Sequence, residues 1–150
     1  MMAAAVLVAA LTLGMPAQPP AIHTPKVENT GAQASAYQGR FYSERLERFR
    51  LCVGQREGRF QYWGTGSNGR YQGTYQMTPE LIRGAAWMMT RELRATYPSA
   101  WRAIRDALLE TPGHKWSRFY QDMAFFTIAS WRSPGSGAKH WSGGRYSCHI

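Results

Sequence analysis

The chain has 150 residues, 18 Lys and Arg against 9 Asp and Glu, a formal net charge of +9, and only two cysteines. That length supports one folded unit with a modest core and argues against a multidomain architecture. Fifteen of the cations are Arg, scattered rather than clustered, so the charge favours an anionic partner without marking out a nucleic-acid groove.

The opening "MMAAAVLVAALTLGMPAQPPA" carries an apolar run from Ala3 to Leu13. It is too short to span a bilayer, which takes about 20 apolar residues. Residues 1–21 fit an export signal with Ala17 or Ala21 at the cleavage site, although no Lys or Arg precedes the run. A secreted or cell-wall location is therefore expected; the alternative is an Ala-rich disordered start. Residues 22–40 are rich in Pro, Ala, Gln, Thr and Ser and read as a flexible linker. The folded domain is expected over 41–150.

"YSERLERFRLCVGQREG" places Leu46, Phe49 and Val53 on one helical face, with Ser43 as N-cap and Glu44 in the first turn. Gly58 is the expected stop, which leaves Glu57 at the C-terminal end. Asn68-Gly69 then lies between two aromatic runs and predicts a hairpin. Thr78-Pro79-Glu80 opens a second helix with Ile82, Ala86, Met89 and Leu93 as its buried stripe. Ser99 is the expected cap of a third, carrying Trp101, Ile104 and Leu108. A fourth is expected from about Lys115 to Trp131, followed by an irregular tail. The fold class is α+β, mainly α, with a small β-hairpin after the first helix.

Cys52 and Cys148 bracket almost the whole domain. In an exported chain the even count suggests a disulfide, worth about 4 kcal/mol for so long a loop; in a reducing compartment they are two unrelated thiols. The four histidines, His23, His114, His140 and His149, show no ligand spacing, so no metal is expected.

Glu57 is the sharpest candidate for chemistry. No other acid occurs from Gly58 to Pro79, a stretch crowded with Tyr62, Trp63, Tyr71, Tyr75 and glycines. A carboxyl ending a helix beside an aromatic hairpin can stand on a cleft wall and pass a proton to a bound substrate. The competing reading is a solvated helix-end residue paired with Arg56 or Arg59. The four aromatic rings can stack on sugars, though strand aromatics often serve the core. Gln76 and Gln121 are either buried hydrogen-bonding groups or substrate contacts.

"CVGQREGRFQYWGTGSNGRYQGTYQM" resembles the catalytic core of the resuscitation-promoting factors and transglycosylase-like proteins of actinobacteria, members of the lysozyme-like superfamily. The residues that carry the likeness are Cys52, Glu57, Thr65-Gly66, Asn68-Gly69, Tyr71 and Gly73-Thr74-Tyr75-Gln76-Met77. Gln121 with Ala124, Trp141 and Cys148 extend it to the last helix and the disulfide. Gly58-Arg59-Phe60-Gln61 departs from the family's usual Ser-Gly-Gly-Asn, and the segment between Gly84 and Gly113 is longer.

The resemblance implies a lysozyme-like domain that cleaves peptidoglycan between N-acetylmuramic acid and N-acetylglucosamine. Glu57 would be catalytic, with Tyr62, Trp63, Thr65, Tyr71, Tyr75, Gln76 and Gln121 against the glycan, and no cofactor. A lone Glu suits a lytic transglycosylase, in which the substrate's own 6-hydroxyl replaces the water of hydrolysis. A hydrolytic muramidase would need a second carboxylate, from Glu80, Asp106 or Asp122. A catalytically silent wall-binding or phage-associated module is the alternative from another class. The expected partners are peptidoglycan strands and an anionic wall, with no specific nucleic acid, and the expected state is a monomer.

Overall fold

A computed structural model describes residues 18–23, 25–26 and 29–150. Its elements are α1 (Glu44–Gly58), β1 (Thr65–Gly66), β2 (Tyr71–Gln72), α2 (Pro79–Thr96), α3 (Trp101–Glu110) and α4 (Arg118–Ser130), with short 3₁₀ turns at Gly113–Lys115 and Ala138–Trp141. The domain is mainly helical, with one two-stranded antiparallel sheet. Among the described residues no helix is long and apolar enough to cross a membrane. The expected export signal falls almost entirely outside them.

The helix starts follow local chemistry. The Ser43 side chain accepts from the Leu46 amide and Thr78 from the Leu81 amide, each satisfying one of the free donors of a first turn. Ser99 does not cap α3: Ala100 occupies that position without a side-chain bond, and the amides of Ala100 and Trp101 both reach Tyr97 O. The other end of α3 is held by the Trp116 indole, which donates to Leu108 O and Thr111 O.

Helix α1 ends at Gly58, as its sequence suggests, but Gly58 is not the left-handed cap. That cap is Arg59 at φ 49°, followed by Phe60 at φ 54°. Gly58 serves close approach instead. A Cβ there would lie 2.5 Å from Thr74 O, so only Gly lets the hairpin backbone rest on the helix end. The expected hairpin forms around Asn68-Gly69 with strands of two residues each, Thr65 opposite Gln72 and Gly66 opposite Tyr71. Its four-residue loop has positive φ at Ser67, Asn68 and Gly69.

Helix α4 starts at Arg118, three residues later than expected, because Gly113–Lys115 forms a separate turn. It is buried on nearly every side, including Tyr120, Met123, Phe125, Phe126 and Ile128. Phe125 packs between Tyr75 and Trp141, with centroids 4.7 and 4.5 Å away. Burying rings and branched chains of this size contributes about 1.5–3 kcal/mol apiece.

Several polar groups are buried with them. The Arg50 guanidinium, fully inaccessible, donates from Nε to Glu47 Oε2 at 2.6 Å and from Nη2 to Glu47 Oε1 at 2.7 Å. Its Nη1 reaches the hydroxyls of Tyr75 and Tyr62, at 2.8 and 3.2 Å. Both hydroxyls donate to Asp122 Oδ1 on α4. Burial pushes the Asp122 carboxyl above the usual carboxylate range, although Arg50 and the two tyrosines pull it back.

The segment expected to be a flexible linker is bound into this core. Arg50 Nη2 donates to Gln33 O, the Ser35 amide to Glu47 Oε1, and the Ala36 amide to Asp122 Oδ2. Thr30 pairs with Gln61, and Arg118 clamps the carbonyls of Thr30 and Gly31. Tyr37 is 2 % exposed. The folded unit therefore begins before Phe41, because residues 29–37 complete the hydrogen bonds of the buried Arg50, Glu47 and Asp122.

The disulfide is present: Cys52 and Cys148 are joined, with Cα atoms 5.8 Å apart across a sequence separation of 96.

Two outcomes follow in denaturant unfolding. Asp122→Ala leaves Arg50 and two tyrosine hydroxyls short of a partner and should cost about 3–5 kcal/mol. Cys148→Ser should cost about 2–5 kcal/mol through release of the long loop.

Candidate functional site

Glu57 sits in the last turn of α1, and its side chain is 25 % exposed. Arg56 Nε lies 2.9 Å and Nη2 2.7 Å from the same oxygen, Glu57 Oε1. Among the described residues Glu57 Oε2 receives no hydrogen bond. One carboxyl oxygen is thus fixed and the other is available.

Arg56 can hold that position because the tail holds it. Its Nη1 donates to Tyr146 O at 3.0 Å and its Nη2 to Trp141 O at 2.6 Å. Cys52 and Arg56 are four residues apart, hence on one face of α1. The disulfide and the guanidinium therefore grip the same returning segment. Gly144, at φ 118°, lies so close that a Cβ would meet Arg56 Nε at 2.6 Å. Arg56 is a positioning residue for Glu57.

The tail forms one wall of a depression of about 300 Å³. Glu57, Tyr71 and Gln76 face His140, Trp141 and the Gly143-Gly144 pair across it. Trp141 is fixed by stacking on Phe125 and by its indole N–H, which donates to Tyr75 O at 2.9 Å. Gln76 has φ 48°, a left-handed conformation for a non-Gly residue; its amide and its side-chain Nε2 both donate to Gly73 O. Strain of this kind collects at binding sites more than elsewhere. Desolvation by the surrounding chain, and then the neighbouring Lys139 charge, hold the His140 imidazole below its ordinary pKa. Among the described residues Glu57 is the only carboxylate lining this depression.

Of the expected glycan contacts, only Tyr71 and Gln76 share this space with Glu57. Tyr62 and Tyr75 are 0 % exposed, and their hydroxyls are committed to Asp122 and Arg50. Gln121 is equally buried, with Oε1 accepting from the Thr74 amide and Nε2 donating to Tyr62 O and Trp116 O. These three are corrected to core residues: a polar tip beside an apolar run was satisfied inside the protein. Trp63 is half-buried with Lys26 Nζ 3.6 Å above its ring, and Thr65 is exposed on β1. Neither lines the Glu57 depression.

Among the alternative carboxylates, Asp122 is sealed in the core and Asp106 pairs with Arg105 on α3. Glu80 lines a neighbouring depression whose wall includes His140. The Arg56–Glu57 pair is the one that the competing reading of Glu57 expected, whereas His140 and Gly143-Gly144 were not singled out as site residues. A signal existed: joining Cys52 to Cys148 must bring the residues just before Cys148 alongside those just after Cys52.

Arg56→Ala should free both Glu57 and the tail. Hydrogen exchange at the amides of residues 141–146 should accelerate markedly, while exchange in α4 stays slow. Arg56→Lys should restore the protection only in part, because an ammonium lacks the planar fork that reaches three acceptors at once.

No family model matches the chain, and neither a curated protein nor a solved structure was found to match it.

Proposed function

We propose that the protein cleaves peptidoglycan glycan strands as a lytic transglycosylase with a lysozyme-like arrangement, Glu57 acting alone as acid and base. The observation that carries this reading is the lone carboxylate on the depression wall, one oxygen anchored by Arg56 and the other open. The sequence resemblance to the resuscitation-promoting factors around Glu57 and the hairpin supports it from a separate direction.

The chemistry balances with one residue. A proton on Glu57 Oε2 passes to the glycosidic oxygen as the bond between that oxygen and the muramic acid C1 breaks. The resulting carboxylate takes the proton of the sugar's own C6 hydroxyl while O6 bonds to C1. The product is a 1,6-anhydro sugar, no water is consumed, and Glu57 ends as it began. Arg56 keeps the carboxyl plane fixed through both transfers. Tyr71, half-buried, offers a ring to a saccharide and Gln76 an amide, while Trp141 is a buried wall that holds the tail in place. Hydrolysis would require a second carboxylate, and Glu80 is the one in the adjoining depression. Export to the cell wall, through the signal-like start, belongs to the same proposal.

One observation favours a second reading. The Arg56–Glu57 ion pair is also what an inert wall-binding module would keep, because it ties the tail down whether or not chemistry occurs.

Glu57→Gln separates the two. It retains size and one acceptor oxygen but has no transferable proton, so purified peptidoglycan should be cleaved at least about 100-fold more slowly. The muropeptides released by the unmodified protein should end in anhydro-muramic acid, one water lighter than hydrolytic products. Cleavage by Glu57→Gln at the parental rate would end the catalytic reading. Reducing ends in the products would replace transglycosylation by hydrolysis.

A further inference from the structure

A second depression, of about 440 Å³, opens where α1 begins and α4 ends. Arg40, Arg91 and Arg132 line it together with Phe41, Trp131 and Ser130. The three arginines come from separate places: the approach to α1, the outer face of α2, and the residues following α4. All three are exposed, and none forms an ion pair among the described residues. Three arginines lining one concavity give it a positive potential, so an anion placed there gains charge-assisted hydrogen bonds.

Nearby acids offset the cluster only in part, since a hydrogen-bonded carboxylate keeps its charge but stands outside the lining. Glu92 is engaged by the Tyr37 hydroxyl and the Arg40 amide, and Glu44 by the Tyr42 hydroxyl. Neither lines the depression. The C-terminal end of α4 does bring partial negative charge, roughly half an elementary unit. One of its carbonyls, Ala129 O, is already satisfied by the Gly137 amide. Three full positive charges outweigh what remains.

Two further features suggest more than a free anion. Ser130 is only 6 % exposed, and its hydroxyl has no hydrogen-bond partner among the described residues. The oxygen is itself buried, so a ligand would complete it through rotation of the Ser130 side chain toward the depression. Phe41 and Trp131 lie 6.5 Å apart, and Trp131 is 43 % exposed, a large ring that the core does not use. Aromatic faces beside a hydroxyl suit the apolar face and polar rim of a sugar.

We propose that this depression binds a phosphate-bearing saccharide, with the phosphate among Arg40, Arg91 and Arg132 and the sugar ring against Phe41 and Trp131. Three guanidiniums match the charge of a phosphate better than that of a single carboxylate. Trp131 and Arg132 also line the depression that leads past Glu80 to His140, and His140 borders the Glu57 site. The three depressions share walls in sequence, so one polymer could lie along all of them. The proposal does not rest on glycan cleavage, because no residue of this depression belongs to the Glu57 site.

The test is calorimetric titration at low salt with N-acetylglucosamine 6-phosphate, alongside N-acetylglucosamine and inorganic phosphate. Saturable binding of the sugar phosphate is expected, tighter than either control and weakened by added salt. Arg91→Gln and Arg132→Gln should each weaken it on the order of tenfold or more, with the helical circular dichroism unchanged. Glu57→Gln should bind the sugar phosphate like the parent, which keeps this result separate from the fate of the cleavage reading. Absence of binding, equal affinity for the unphosphorylated sugar or for phosphate alone, or parental affinity in both arginine variants would each overturn the proposal.

Discussion

Arg50 carries a full charge inside the protein, and the surrounding architecture is arranged to make that tolerable. Removing a guanidinium from water costs several kcal/mol even after relaxation, and only well-aligned partners recover it. Glu47 supplies a two-bond clasp from the same helix, and Asp122 supplies a second carboxyl from α4 through the hydroxyls of Tyr62 and Tyr75. Residues 33–36 close the remaining gaps with backbone groups. The N-terminal segment, α1, the hairpin region and α4 therefore meet at one polar knot. None of the four can shift without stranding a buried charge or hydroxyl.

That knot also sets the position of the candidate site. Tyr75 uses its hydroxyl in the knot and its carbonyl to receive the Trp141 indole. Trp141 in turn gives its carbonyl to Arg56, which orients Glu57. A chain of direct contacts thus runs from the centre of the core to the open depression. The tail would otherwise be an irregular segment with little packing of its own.

Much of this fold was legible in the sequence where the signal was local. Ser43, Thr78-Pro79 and the apolar stripes mark helix starts and faces by chemistry that acts within four residues. The even cysteine pair was readable for a different reason, since it links distant segments by a bond type that composition announces. What escaped was anything decided by a distant partner. Gly58 marks the helix end as expected, but its lack of a side chain answers to Thr74. Tyr62, Tyr75 and Gln121 looked like a cleft lining because polarity beside aromatics reads the same whether water, a ligand or a buried Asp122 completes it. Residues 29–37 looked unstructured because their contribution is mostly backbone, and backbone groups leave no trace in composition.

The crosslink gives the depression around Glu57 a dependence on its surroundings. Trp141, Gly143 and Gly144 stand on a segment tethered to α1 by one covalent bond at Cys148 and by two carbonyl contacts to Arg56. Under reducing conditions the tether becomes two thiols, and the two carbonyl contacts to Arg56, one buried and one partly buried, must then keep that wall in place alone. The closed loop contains α2, α3 and α4, so losing the bond would lower the stability of the whole fold as well as loosen that wall. The same polypeptide would thus carry a half-built cavity when its two cysteines are reduced and a finished one when they are joined.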